Sequence, residues 1–156
     1  MESFTTAFTV AQSAEAAFQA IIDPKAWWSQ EIQGRTDRAG AAFAYHYQDL
    51  HRCRIEVVEL VPGKRVVWHV LENHFSFTRD TAEWTGTRMV FDITAKGEQT
   101  EVRFTHVGLV PDYECYEACS EGWGMYINGS LRTLIATGKG NPNVGEAMTD
   151  SERELA

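Results

Sequence analysis

Cysteine is scarce in this chain, with only Cys53, Cys115 and Cys119. An odd count without a CxxC pair fits reduced thiols better than a disulfide framework. The histidines His46, His51, His69, His74 and His106 include no pair at helical ligand distance and no matching Cys or carboxylate motif. No metal and no other cofactor is therefore expected. No apolar run approaches the roughly 20 residues a membrane helix needs, and Met1 to Val10 has neither a charged leader nor a long apolar stretch. Basic residues are the minority, 14 Lys and Arg against 22 Asp and Glu, for a formal net charge of −8. With no basic cluster to interrupt that excess, nucleic acid and anionic membrane are poor partners. A cytoplasmic protein is the expectation these absences leave.

Aromatic side chains, by contrast, are plentiful. The 156 residues include five Trp, five Tyr and eight Phe. That length suits one domain with a sizeable core, and so many rings imply a wide core or a lined cavity.

Phe4, Phe8 and Val10 open a strand, and Ser13 then stands as N-cap of a short helix with Glu15 in its first turn. Asp23-Pro24 restarts the chain into a second short helix carrying Trp27 and Trp28. Strand-length runs follow at Phe43 to Tyr47, Cys53 to Val61, Arg65 to Leu71, Thr87 to Thr94 and Glu101 to His106, with turns at Pro62-Gly63-Lys64 and Lys96-Gly97-Glu98. Those spacings predict an antiparallel meander. Alternation puts Val66, Trp68 and Val70 on one side, as it does Met89, Phe91 and Ile93, and Val102, Phe104 and His106. After Asp112, an expected N-cap, apolar residues recur three or four apart from Tyr116 to Ile135, which predicts one long helix of roughly 38 Å to about Thr137. Gly138, Gly140 and Pro142 stop it. The expected organisation is one α+β domain over 1–140 and a polar, acidic tail over 141–156, which composition alone would make mobile.

This order of elements resembles the helix-grip fold of the START/Bet v superfamily (SRPBCC). Ala16-Ala17-Phe18-Gln19-Ala20-Ile21, Trp27-Trp28, Pro62 to Trp68, Trp84-Thr85-Gly86-Thr87, Phe104 to Leu109, Cys115 to Cys119, Gly122-Trp123 and Gly129-Ser130-Leu131 together resemble one branch of it. That branch is named after the activator of heat-shock-protein-ninety ATPase, here in its stand-alone bacterial form, and the resemblance runs from about Phe4 to Pro142. It implies a curved antiparallel sheet gripping a long C-terminal helix around a cavity, used across the superfamily for lipids, hormones, polyketides and other apolar ligands. It does not imply a reaction, because members include carriers, sensors, cyclases and the co-chaperone. The co-chaperone's separate N-terminal domain is expected to be missing, since the first strand begins at about Phe4.

Trp68, Trp84, Phe91 and Phe104, with Tyr116, Trp123 and Tyr126 of the long helix, are candidate walls of such a cavity, or plain core. His106 shares the face of Phe104. It is either a polar anchor, acting alone or with a carboxylate such as Glu83, or a structural histidine holding a turn. Cys115 and Cys119 share one helix face, as reactive thiols or as small buried hydrophobes. Gly122, Gly124 and Gly129 weaken the helix, for gating or for close backbone packing. The leading expectation is non-catalytic binding of a small apolar molecule by a monomer or homodimer. The alternatives are a cyclase- or hydrolase-like enzyme using the same cavity and a co-chaperone-like interaction module.

Overall fold

The computed structural model describes residues 2–155. Strand β1 (Phe4–Val10) leads into helix α1 (Ala14–Ile21), whose N-cap Ser13 accepts a hydrogen bond from the Ala16 amide at 3.1 Å. That bond satisfies one of the amides a helix start leaves open. A single turn at Pro24–Ala26 follows, then β2 (Ile32–Gly34), β3 (Ala42–Tyr47), β4 (His51–Val61), β5 (Arg65–Phe75), β6 (Arg88–Lys96) and β7 (Gln99–Val107). Among the described residues seven strands form one antiparallel sheet in the order β1-β7-β6-β5-β4-β3-β2. Register shifts in β4 at Arg54/Ile55 and Val57/Glu59 bend it.

The face predicted by alternation is the buried one. Val66, Trp68, Val70, Met89, Phe91, Ile93, Val102, Phe104 and His106 all lie in the core beneath a helix spanning 116–137. That helix is regular α over Tyr116–Trp123, a wider π-helix over Gly124–Leu131, and α again over Arg132–Thr137. It ends at Gly138, whose φ of 85° is the left-handed conformation a glycine adopts freely.

Four expectations are corrected. The second short helix is only the turn Pro24–Ala26, which ends before Trp27 and Trp28. β2 was not foreseen, because three residues of which only Ile32 is buried give no alternation to read. β5 runs on past Leu71 to Phe75, paired with β4 through Cys53↔Asn73 and His51↔Phe75. Its other edge there is covered by the 76–87 loop, through Val70 N–H to Thr87 C=O and Phe75 N–H to Thr81 C=O. The long helix starts at Tyr116 and not at Asp112, so it measures about 33 Å. The two amides leading into it, those of Glu114 and Cys115, are met from outside by the buried Glu83 carboxylate.

The tail docks. Asn143 is 1% exposed; its amide donates to Trp28 C=O and its carbonyl accepts from the Gln30 amide, both at 2.9 Å. A last helix, Asp150–Leu155, lies against the first segment of the long helix. Among the described residues no helix is long and apolar enough to cross a membrane.

Candidate functional site

At one end of the sheet the register lines up Tyr47, His51 and Phe75 as cross-strand neighbours, with Tyr45 one step behind. Period-two alternation points all four toward the helix. Opposite them the helix presents Ala118, Cys119, Gly122, Trp123 and Tyr126. Between the two layers is a cavity of about 80 Å³, completed by Trp28, Leu50, Phe77 and Trp84. Trp84 arrives from the loop that covers the free edge of β5. Leu50, Phe77, Ala118, Cys119 and Gly122 are half-buried and form the rim; the other wall residues are buried.

The wall is built of stacked rings. Trp28 lies on Tyr45 at 4.2 Å between centroids, and Trp84 is parallel to Trp123 at 5.8 Å. Among the described residues lining the cavity there is no Asp, Glu, Lys or Arg. A space this dry and this size holds a few waters or one small apolar group.

Two buried histidines bear on the wall. His106 is fully occupied: the Trp123 indole donates to its Nδ1 at 3.1 Å, and its Nε2 meets Thr87 Oγ1 at 2.8 Å. Since Nδ1 accepts, Nε2 carries the proton and donates to Thr87, whose hydroxyl donates to Trp84 C=O at 2.6 Å. The chain of bonds ties the indole of Trp123 to the turn that carries Trp84. His51 lies on the wall itself, between Phe75 at 4.3 Å and Trp84 at 4.5 Å, with Nε2 2.6 Å from Asn73 Oδ1. Burial pulls the pKa of each histidine down to about 3, the Asn73 bond resisting for His51. Both are neutral at physiological pH.

Of the residues singled out in the sequence, Trp84, Trp123 and Tyr126 border the cavity. Trp68, Phe91 and Phe104 are fully buried in a continuous ring cluster, Trp68 to Phe91 at 4.9 Å, Phe91 to Phe104 at 5.0 Å and Phe104 to Trp123 at 4.7 Å. They stand behind the wall. His106 is likewise behind it, and Tyr116 is half-buried away from the lining. Glu83 does not reach His106; both its oxygens are taken, at 2.8 Å by the Glu114 amide and at 3.2 Å by that of Cys115.

The sequence reading did not include Tyr45, Tyr47, Leu50, His51, Phe75 and Phe77 in the site. The alternation of Phe43, Tyr45 and Tyr47 carried part of that signal. Burial pushes the Cys119 thiol up, with Cys115 adding to the effect, so this thiol on the rim is held protonated. A Cβ on Gly122, Gly124 or Gly129 would meet nothing within 4 Å, so close backbone packing is not why these glycines are there. On the opposite face of the sheet a wider, polar hollow of about 600 Å³ is lined by His46, Arg52, Arg54, His74, Glu31 and Glu72 among others, with an Arg54–Glu72 ion pair at 3.8 Å. It is an open surface between charged side chains.

The sequence profile of the family described as activator of Hsp90 ATPase homolog 1-like protein matches residues 11–136. No curated protein matches the chain by sequence. Among solved structures, the Aha1 dimer from Colwellia psychrerythraea is 24% identical with a TM-score of 0.71, over 90% of this chain and 100% of that one. CalU16 from Micromonospora echinospora is 14% identical with a TM-score of 0.65, over 98% of this chain and 80% of that one. DynU16, from the dynemicin biosynthetic locus, is 16% identical with a TM-score of 0.65, and the match takes in 90% of this chain but only 49% of DynU16. At these identities the likeness is one of fold.

Proposed function

We propose that this chain, which belongs to the activator of Hsp90 ATPase homolog 1-like family, binds a small, largely apolar molecule in the cavity between the sheet and the long helix and does not transform it. One observation carries the reading. In a domain with rings enough to fill its interior, the space bounded by Trp28, Tyr45, Phe75, Trp84 and Trp123 stays unfilled and opens at a half-buried rim. Cores ordinarily close such space to crystal-like density, because each void forfeits dispersion contacts. An open apolar slot is stabilised by an occupant. Catalysis would require a converging acid and base. The described lining residues include no carboxylate, and the two buried histidines are both uncharged.

The experiment is titration of the protein with toluene, followed through the tryptophans that border the cavity. Saturable quenching or enhancement is the expected result. Gly122→Leu adds a branched side chain at a rim residue of the cavity where a Cβ has open space, one large enough to close a space of about 80 Å³. It should abolish toluene binding while leaving the fold intact. Toluene binding that survives Gly122→Leu unchanged, or a wild type that binds neither toluene nor its one-ring analogue phenol, removes the proposal.

A further inference from the structure

The two buried histidines differ in a single atom, and that atom says what the occupant carries. His106 has both ring nitrogens bonded, to Trp123 and to Thr87. His51 has one bonded, and the identity of its partner fixes its tautomer. Asn73 Nδ2 donates to Thr81 C=O at 3.4 Å, which orients the amide so that Oδ1 faces His51 at 2.6 Å. An amide oxygen only accepts, so Nε2 of His51 carries the proton, and in a neutral imidazole Nδ1 is then a bare acceptor. Among the described residues Nδ1 has no hydrogen-bond partner. The ring is held in place by Tyr45 at 5.1 Å, Phe75 at 4.3 Å and Trp84 at 4.5 Å, and it lines the cavity.

We infer that the cavity selects a small planar molecule bearing an uncharged hydrogen-bond donor on its ring, a phenol or an aromatic N–H, which His51 Nδ1 accepts. The inference rests on the pocket reading and deepens it. A purely apolar guest would leave Nδ1 buried and unsatisfied, which costs affinity. A carboxylate would need a cation on the wall, since the tyrosine hydroxyls and the Trp84 indole N–H there are neutral donors that do not offset the desolvation of a charge. Nδ1 is bare, burial holds the imidazole neutral, and no Lys or Arg lines the cavity. The flat slot between stacked rings fits one aromatic ring face-on or edge-on.

Three one-ring probes of nearly equal size decide it: phenol, toluene and benzoate, titrated at neutral pH. The phenol-to-toluene affinity ratio should fall about tenfold in His51→Phe relative to wild type, the share expected of one hydrogen bond, and benzoate should not bind. Because His51→Phe strands the Asn73 amide and can fail to fold, a second measurement uses wild-type protein labelled with nitrogen-15. Phenol should move the His51 Nδ1 resonance, and toluene should leave it near its free position. Toluene binding without phenol, phenol binding that leaves Nδ1 unmoved, or benzoate binding more tightly than phenol overturns this inference and leaves the pocket standing. Binding of neither phenol nor toluene removes both.

Discussion

At the scale of single residues, His51 and His106 couple stability to acidity. Each has a folded pKa near 3 against an ordinary value of 6.5, lowered first by burial. The folded state therefore binds fewer protons than the unfolded one between those values, so the stabilisation is complete above pH 6.5 and is lost as pH falls toward 3. Two such groups lower the unfolding free energy by about 2 kcal/mol between pH 6 and pH 5. Urea midpoints that stay flat from pH 7 to pH 5 would show that the rings are not held neutral in the interior. How legible these residues were differs for a physical reason. His106 lies inside a clean alternating strand, so its inward face could be read from Phe104. His51 begins β4 two residues before the predicted start at Cys53, and a residue outside an assigned strand has no face to predict. The Asn73 amide that fixes its tautomer sits in the unforeseen end of β5 for the same reason.

At the scale of elements, α1 and the strands other than β2 followed from capping and period, as Ser13 and the buried run of β7 show. The long helix was legible in extent but not in winding. Its middle segment, Gly124–Leu131, is π, and a spacing of three and four residues cannot distinguish that from α when the buried positions Tyr126, Ile127, Ser130 and Leu131 satisfy both. Nor does spacing reveal the start. Asp112 is a good local cap, yet the carboxylate that meets the amide of Glu114, just before the helix, is Glu83, a contact across 31 residues. The glycines here have open space around them, so Gly124→Ala should raise stability by about 0.5–1 kcal/mol, chiefly by restricting the unfolded chain. If glycine at 124 serves to let the helix open, the same variant slows toluene entry while leaving equilibrium binding nearly unchanged. Thermal melts settle the first statement and stopped-flow tryptophan fluorescence the second. A lowered melting temperature would mean that this backbone needs a conformation alanine resists.

At the scale of the molecule, the boundary of the folded unit is the open matter, and the tail decides it. The family profile stops at residue 136, and the sequence placed the end of the domain at about residue 140 on composition alone. The chain does not leave the surface there. Gly140 passes so close to the Ala26 carbonyl that a Cβ would collide with it. The Asn141 amide then donates to Ser130 Oγ at 2.7 Å, Asn143 pairs with the Trp28–Gln30 segment, and its side chain donates to the Tyr126 hydroxyl at 3.2 Å. A polar tail thus holds two wall residues of the cavity, Trp28 through its carbonyl and Tyr126 through its hydroxyl. We propose that residues 1–140 fold as the domain and that the tail is a strap braced against it. The strap contributes polar bonds and little core, since Asn143 and Thr149 are its only described residues buried below one tenth. A chain ending at Gly140 should therefore still unfold in one cooperative transition, less stable by about 2–5 kcal/mol, at roughly 1 kcal/mol for each hydrogen bond returned to water. Asn143→Ala alone should cost about 1–3 kcal/mol, because it leaves the Tyr126 hydroxyl and the Glu146 carbonyl without the amide that now donates to both. Both variants are followed by denaturant unfolding. Failure of the shortened chain to give a cooperative transition would make the strap part of the core, and an unchanged midpoint in Asn143→Ala would show that it is not anchored through this residue.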